Sequence, residues 1–413
     1  MTNNYVLSEL IELSRDGEWG KSEPFDGSVK MAAIRGTDFD AVRQGEVDLV
    51  PSRFIKEHIA EYKNLHGGEI VIEAAGGSIG KITGRTIYLK PETVARFGIP
   101  VTCASFSRFI RLKHSKLWDT RYIFWLLQYL YHFGFMSKYH TQHTGVSRFQ
   151  WTVFSENEVL TLPPLLTQRK IAAILSAYDD LIENNLRRIK ILEEMAQNIY
   201  SEWFVKFRFP GHQHTRFIDS SLDRIPEGWE VVKAGETLKK VKRGTKIQKK
   251  DYATEGSIPI VDQGKEFLGG YTDNTESLIS DDLPLIVFGD HTRILKFIDF
   301  PFACGADGTQ LLKSNNERMP MTLFYYALSS IDISDFAYAR HFKFLKEEPL
   351  VLPERSIADL FDQFVTPLRE QTRSLMQKNT ILRRTRDLLL PKLISGEVDL
   401  SELDIVVPEE ARA

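Results

Sequence analysis

The chain has 413 residues, 42% of them apolar and 26% charged, with a formal net charge of −3. That is the composition of a soluble globular protein with room for about two to four compact units. No apolar run approaches the ~20 residues that span a bilayer. The start, MTNNYVLSEL, lacks the basic region and apolar core of an export signal. Two cysteines in so long a chain fit a reducing compartment. A cytoplasmic protein with no membrane partner is expected.

In chain order, residues 1–160 mix strand and helix signals, with strands expected at 69–72 and 106–112 and an amphipathic, aromatic-rich helix at 118–131. Pro163-Pro164 then punctuates the chain. From 165 to 205 the pattern is heptadic. One seam is Leu175, Ile182, Ile189, Ala196, Trp203 and the other Ile171, Tyr178, Asn185, Leu192, Ile199. A second heptad stretch has the seams Phe361, Leu368, Leu375, Leu382, Leu389 and Ile357, Phe364, Gln371, Lys378, Thr385. Asn185 and Gln371 fall at equivalent places, where a polar seam residue fixes register at some cost in stability. Asp180 and Thr366 are good N-caps, and Pro367 suits the first helical position, so a break is expected in each stretch, with a helix of about 25 residues after it. The two helices are expected to pair antiparallel, giving a rod with a module at either end. Phe209-Pro210-Gly211 and Ile225-Pro226-Glu227-Gly228-Trp229 flank a polar linker, and a second α/β module follows to about residue 350. Gly396 and beyond reads as a short tail, mobile at its end. The expected division is a first module at 1–160, a spacer helix region at 161–209, a second module at 210–350, a second spacer helix region at 351–400 and a tail at 401–413.

The chain repeats itself. Ile70-Val71-Ile72 with Gly76, Ser78 and Lys81 aligns without a gap on Leu285-Ile286-Val287 with His291, Arg293 and Lys296. Cys103 and Cys304 correspond, residues 118–130 lie over 319–331, and Leu162-Pro163 returns as Leu352-Pro353 before the second heptads. Two long copies imply a pseudo-symmetric molecule, which suits a ligand with two similar halves. The corresponding cysteines read as small core residues rather than a bridge.

Charge is unevenly spread. Residues 105–117 hold Arg108, Arg111, Lys113, His114 and Lys116 and no acid. Residues 233–250 hold eight lysines and arginines against Glu236 alone, while the tail is acidic. Basic stretches of this kind meet phosphates; the plainer reading is a solvated surface. Enzyme motifs fail. Gly76-Gly77-Ser78-Ile79-Gly80-Lys81 has Ala75 where a phosphate loop needs glycine and Ile82 where it needs Ser or Thr. Leu162-Pro163-Pro164-Leu165 lacks the polar and aromatic members of a methyltransferase signature. His140 and His143 have no evident acidic or cysteine partner for a metal, and no Ser–His–Asp arrangement stands out. What remains is positional: in each copy a buried strand ends in a glycine-containing polar loop, and a basic loop precedes the long helix. These give the candidate DNA contacts Ser78, Lys81, Arg108, Arg111, Thr144 and Arg148 in the first copy. In the second they are Lys242, Arg243, Lys246, His291, Thr292, Arg293, Lys296, Arg340 and Lys343. Lys242, Arg243 and Lys246 are expected on phosphates; Arg293 and Arg340 lie in loops open to two readings, a base edge or a bond to a local acid or carbonyl.

The whole pattern resembles the specificity subunit of type I restriction-modification systems. The telling residues are Leu162-Pro163-Pro164-Leu165-Leu166-Thr167-Gln168-Arg169-Lys170-Ile171-Ala172 running into the heptads and Ile225-Pro226-Glu227-Gly228-Trp229. Val287-Phe288-Gly289-Asp290-His291-Thr292 and Gly305-Ala306-Asp307-Gly308-Thr309 complete the set. The resemblance implies an α+β chain in which two α/β target-recognition domains are separated by an antiparallel pair of long helices. Each domain would read half of a split double-stranded DNA site, and the helices would set the spacing. It implies two methyltransferase subunits and motor-nuclease subunits as partners, and no catalytic centre or cofactor on this chain; S-adenosylmethionine, ATP and magnesium would sit on the partners. The first copy departs from the family by opening without the Pro-Glu-Gly-Trp phrase. Rival readings are a specificity protein serving a fused nuclease–methyltransferase, a coiled-coil adaptor that binds only protein, and a free-standing nuclease.

Overall fold

A computed structural model describes residues 2–76, 82–143, 146–305, 308–333 and 340–407. The chain forms two units: Met1–Arg187 together with Leu375–Ala413, and Arg188–Ser374. The long helices Leu165–Tyr200 and Arg355–Ile394 therefore contribute to both.

In the first unit the opening strand Asn3–Val6 pairs antiparallel with Val159–Leu162, closing the module just before Pro163. A four-stranded antiparallel sheet has the order Ile11–Asp16, Ser107–Leu112, Ile70–Glu73, Thr86–Tyr88. Ile70–Glu73 is buried at every position because both faces are covered. Its side chains alternate between two cores, as strand geometry requires. Ile70 and Ile72 pack with Ile123, Trp125 and Leu127, while Val71 packs with Ile34, Phe39 and Cys103. A second sheet joins Ser28–Ile34 antiparallel to Ser52–Lys56 and parallel to Val101–Cys103, with Ile34 opposite Cys103. The aromatic helix Thr120–His132 starts at Asp119, whose carboxylate accepts from the Tyr122 amide at 3.0 Å, a cap worth about 1 kcal/mol. Fully buried Gln168 ties this start to the long helix. It accepts from the Asp119 amide and donates to the carbonyls of Leu117 and Pro163.

The second unit repeats the topology. Glu230–Lys233 pairs with Pro349–Leu352. Ile258–Val261 runs parallel to Phe302–Cys304 with Val261 opposite Cys304. Leu285–Gly289 lies between Leu295–Ile298 and Thr309–Leu312. Ile286 and Phe288 face one core with the helix Met321–Ser329, Leu285 and Val287 another. Arg318 takes the place of Gln168, donating to the carbonyls of Gly228, Leu352 and Pro353.

Both long helices run without the expected break, over 36 and 40 residues. Asp180 lies inside its helix and its carboxylate pairs with Lys90 rather than capping. Thr366-Pro367 is likewise internal, held between fully buried Val365 and half-buried Leu368. The second seam of this helix also differs from expectation. Phe364, Gln371 and Lys378 are exposed, and the buried or half-buried row is Ala358, Val365, Thr372, Asn379, Arg386, Leu393, one residue out of phase. Asn185 accordingly meets Asn379, not Gln371, donating to its amide oxygen at 2.8 Å.

Within the first unit the helices run antiparallel, since Asp179 pairs with Arg386 and Asn185 with Asn379; within the second, Tyr200 and Trp203 pack on Phe361. Leu175, Ile182, Ile189, Phe361 and Leu375 are buried, and Leu192, Leu368, Leu382 and Leu389 half-buried. The described part of the tail is docked, and its end, expected to be mobile, lies outside the described residues. Leu400 enters the first unit's core, and buried Lys170 donates to the carbonyls of Leu400, Ser401 and Leu403. Among the described residues no helix is long and apolar enough to cross a membrane.

Candidate nucleic-acid interface

The shared topology brings three loops to one strand end in each unit. In the second unit the strands ending at Val261, Gly289 and Cys304 bring residues 262–266, 290–294 and Gly308 to the same edge. Two further segments join them. Asp290 accepts from the Phe342 amide at 2.8 Å through its side chain and from the His341 amide at 3.0 Å through its carbonyl, so it anchors the start of the helix His341–Glu347. Arg243 donates to Gln310 Oε1 at 2.6 Å, and the Ile247 amide donates to the Cys304 carbonyl. Burial pushes the Cys304 thiol pKa up, and the charges of Arg243 and Lys246 partly oppose it, which places both cations beside this edge.

Most of the second-copy candidates are thus brought together. Lys242, Arg243, Lys246, His291, Thr292, Arg340 and Lys343 are exposed. Thr292 donates its hydroxyl to the Gln263 carbonyl at 2.6 Å. Arg293 has φ +64°, unusual for a side-chain-bearing residue. It lines a crevice of about 180 Å³ with Phe288, Leu328 and Leu345, and Nη1 reaches the Ile333 carbonyl at 3.4 Å. Lys296 does not stand on this surface. It is buried and donates to backbone carbonyls, because its strand position opposite Val287 faces inward.

In the first unit the corresponding edge carries residues 35–38, 74–76 and 104–106. The amides of Ala74 and Ala75 both donate to the Phe106 carbonyl, at 2.8 and 2.9 Å, so the backbone is pinned while the Phe106 ring is 58% exposed. Arg148 is exposed and lies opposite Ala75 in the neighbouring ladder. These loops border a cleft of about 1170 Å³ whose walls include Trp19, Arg35, Glu73, Arg85 and Phe106. Arg108 and Arg111 are committed elsewhere: Arg108 to Asp16 at 2.7 Å and Ser14, Arg111 to buried Glu69 and to His66. Their charge is largely matched by acids that the sequence order hid. Ser78, Lys81 and Thr144 lie outside the described residues. His140 is occupied locally, its Nδ1 accepting from the Thr83 amide at 3.3 Å. Residues that sequence reasoning passed over at these edges are Phe106, Gln263 and Gln310. The cysteine alignment offered a signal, since Gln263 stands two residues after the Val261 that faces Cys304.

A chain that duplicates one α/β module, presents polar and basic loops at the same strand end of each, and carries heptad helices between and after them defines a two-site recognition protein. Residues 5–194 match the sequence model of the type I restriction modification DNA specificity domain. The chain is 27% identical over 302 residues to the type I restriction enzyme MjaIX specificity subunit of Methanocaldococcus jannaschii, covering 67% of this chain and 69% of that one. It is 28% identical over 205 residues to the EcoR124I/EcoR124II specificity subunit of Escherichia coli, covering 45% and 50%. A crystal structure of a type I restriction-modification S subunit from M. genitalium superposes with a TM-score of 0.56 at 16% identity, covering 95% of this chain and 96% of that one. The chain is thus similar, in its first half to the specificity-domain model and over two thirds of its length to a curated relative, to the specificity subunits of type I restriction-modification systems. The fused-system and adaptor readings gain no support from these relatives.

Proposed function

We propose that this chain reads a bipartite DNA target for a type I restriction-modification complex. Each module recognises one half of the site, and the helices set the half-site spacing and dock two methyltransferase subunits; motor-nuclease subunits complete the assembly. The chain itself binds no cofactor, and S-adenosylmethionine, ATP and magnesium act on its partners. The observation that carries this reading is the duplication: two modules with the same strand register, each offering its loops at the same edge. Sequence is read at base edges while cations on phosphates supply affinity, and exposed Arg148, Lys242 and Lys343 suit the second task.

Mapping genomic methylation in cells with and without the gene tests the reading, with loss of one split motif expected. Exchanging residues 1–160 for those of a relative should then change one half of that motif. A hybrid that alters both halves together overturns the two-reader scheme. The purified chain given S-adenosylmethionine or ATP, magnesium and plasmid should neither methylate nor cut; turnover that copurifies with the chain refutes the non-catalytic assignment.

A further inference from the structure

In the first unit the turn at 104–106 is held from three sides. The Ala104 amide donates to the Ile34 carbonyl at 2.8 Å, and the Glu18 and Gly17 amides donate to the Cys103 and Ser107 carbonyls at 2.7 and 2.9 Å. The Ala74 and Ala75 amides hold the Phe106 carbonyl, and the Ser107 amide closes the turn on the Ala104 carbonyl at 2.8 Å. Gly17 packs so closely here that a Cβ would stand 2.0 Å from the Cys103 carbonyl oxygen. Ala104 and Ser107 are buried, yet Ser105 and Phe106 between them are exposed. The backbone that carries the Phe106 ring is therefore fixed, while the ring itself meets solvent.

Single exposed apolar side chains are common and mean little by themselves. Phe106 differs in its setting. Among the described residues its ring joins none of the apolar clusters of this unit, so it adds little to the fold. It stands at the strand end where the loops of the module gather, on the wall of the cleft. Exposed Arg148 lies opposite Ala75, whose amide holds the turn, and a cation so placed suits a phosphate backbone.

A phenyl ring carries no hydrogen-bonding group, so it cannot read the donors and acceptors of a base edge. The apolar group that a duplex offers in the major groove is the thymine C5-methyl. The other use of a ring, as a wedge between base pairs, costs the unstacking of a step, and exposed Ser105 would give such a wedge a polar neighbour. In the second copy the residue three after Cys304 is Asp307, so the sequence does not repeat the ring. We propose that Phe106 reads a thymine in the half-site of the first module by covering its methyl group. This rests on the reading of the chain as a DNA-recognition subunit.

The full chain is first used to select its target from a randomised duplex library. Each thymine of that target is then replaced in turn by deoxyuridine, which lacks only the C5-methyl. One replacement, in the half-site that changes when residues 1–160 are exchanged, is expected to weaken binding by the parent about 4-fold, the weight of one buried methyl. Phe106→Ala should weaken binding to the thymine duplex by a similar factor and lose sensitivity to that replacement, with the salt slope of the parent. A target with no methyl-sensitive position in that half-site, or a Phe106→Ala chain as sensitive as the parent, overturns the reader. A parent that binds thymine and deoxyuridine alike but unstacks a base step, seen as 2-aminopurine fluorescence that Phe106→Ala abolishes, makes the ring a wedge and also overturns it. A parent chain that selects no sequence overturns the functional reading itself, a result distinct from the others.

Discussion

Asp179 is the most demanding side chain on the first long helix. It is 9% exposed and lies between two guanidiniums, Arg43 at 2.8 Å and Arg386, which joins it from the second long helix. Arg43 also lies over the rings of Phe124 and Trp125 and donates to Gln128, which in turn donates to Thr86. One carboxylate therefore ties the globular part of the first unit to both helices. Burial by itself raises the Asp179 pKa, and the two arginines more than reverse this through charge and hydrogen bonds, leaving it below the usual carboxylate range. Replacing Asp179 by Ala strands two half-buried cations and empties a buried site, which costs up to about 3–5 kcal/mol, a large share of the roughly 5–15 kcal/mol that holds a domain folded. At about 2–4 °C per kcal/mol for a unit of about 150–250 residues, the first unit should melt up to about 6–20 °C lower. Because the folded pKa is depressed, this stabilisation is present above the unfolded value of about 3.9 and is lost as pH falls through the folded pKa. The gap between parent and variant should close on acidification below about pH 4. Calorimetry across that range is the assay. The triple change Arg43→Met, Asp179→Leu, Arg386→Met should recover most of the loss, since apolar packing replaces buried ions well. An Asp179→Ala chain melting with the parent at neutral pH would mean that water reaches these charges, and the reasoning would be wrong.

Replacing either Asn185 or Asn379 by Leu leaves a buried amide without its partner and should cost about 1–3 kcal/mol in urea titration, while the double Leu variant should recover; neutral single variants would refute the pairing. Lys242→Ala and Lys246→Ala should each weaken binding at all duplex sequences and lower the salt slope by about one. A change confined to one base pair would make them readers instead. Burial pushes the Cys103 thiol up to about 12, so iodoacetamide should modify it only after denaturation; labelling at the rate of a free thiol would contradict its place beneath the sheet.

The repeat carried most of the fold. Ile70-Val71-Ile72 and Leu285-Ile286-Val287 are the central strands because a strand covered on both faces is apolar at every residue. The cysteines align because each faces the strand that opens its sheet. The heptads misled where two periods compete. Ile357 and Ala358 both begin a seven-residue row, and the apolar Ile357 and Phe364 looked better than the mixed row that is buried, in which Asn379 and Arg386 are satisfied by Asn185 and Asp179. Those partners lie about 200 residues away in sequence, so no local pattern discloses them. The same holds for Lys296, Arg108 and Arg111: a basic residue looks alike in sequence whether it meets phosphate, carboxylate or carbonyl.

The docked tail has a consequence for how the molecule is made. Val398 and Leu400 pack into the same core as Leu7 and Leu10, and Lys170 grips the backbone of residues 400–403. On the ribosome the first unit must wait for residues from Leu375 onward, while Arg188–Ser374 is uninterrupted. At about 5–20 residues per second the delay is roughly 10–40 s, during which Leu175 and Asp179 lack their partners from the second helix. The half begun first is finished last, and a premature stop near the end of the message strikes the N-terminal module.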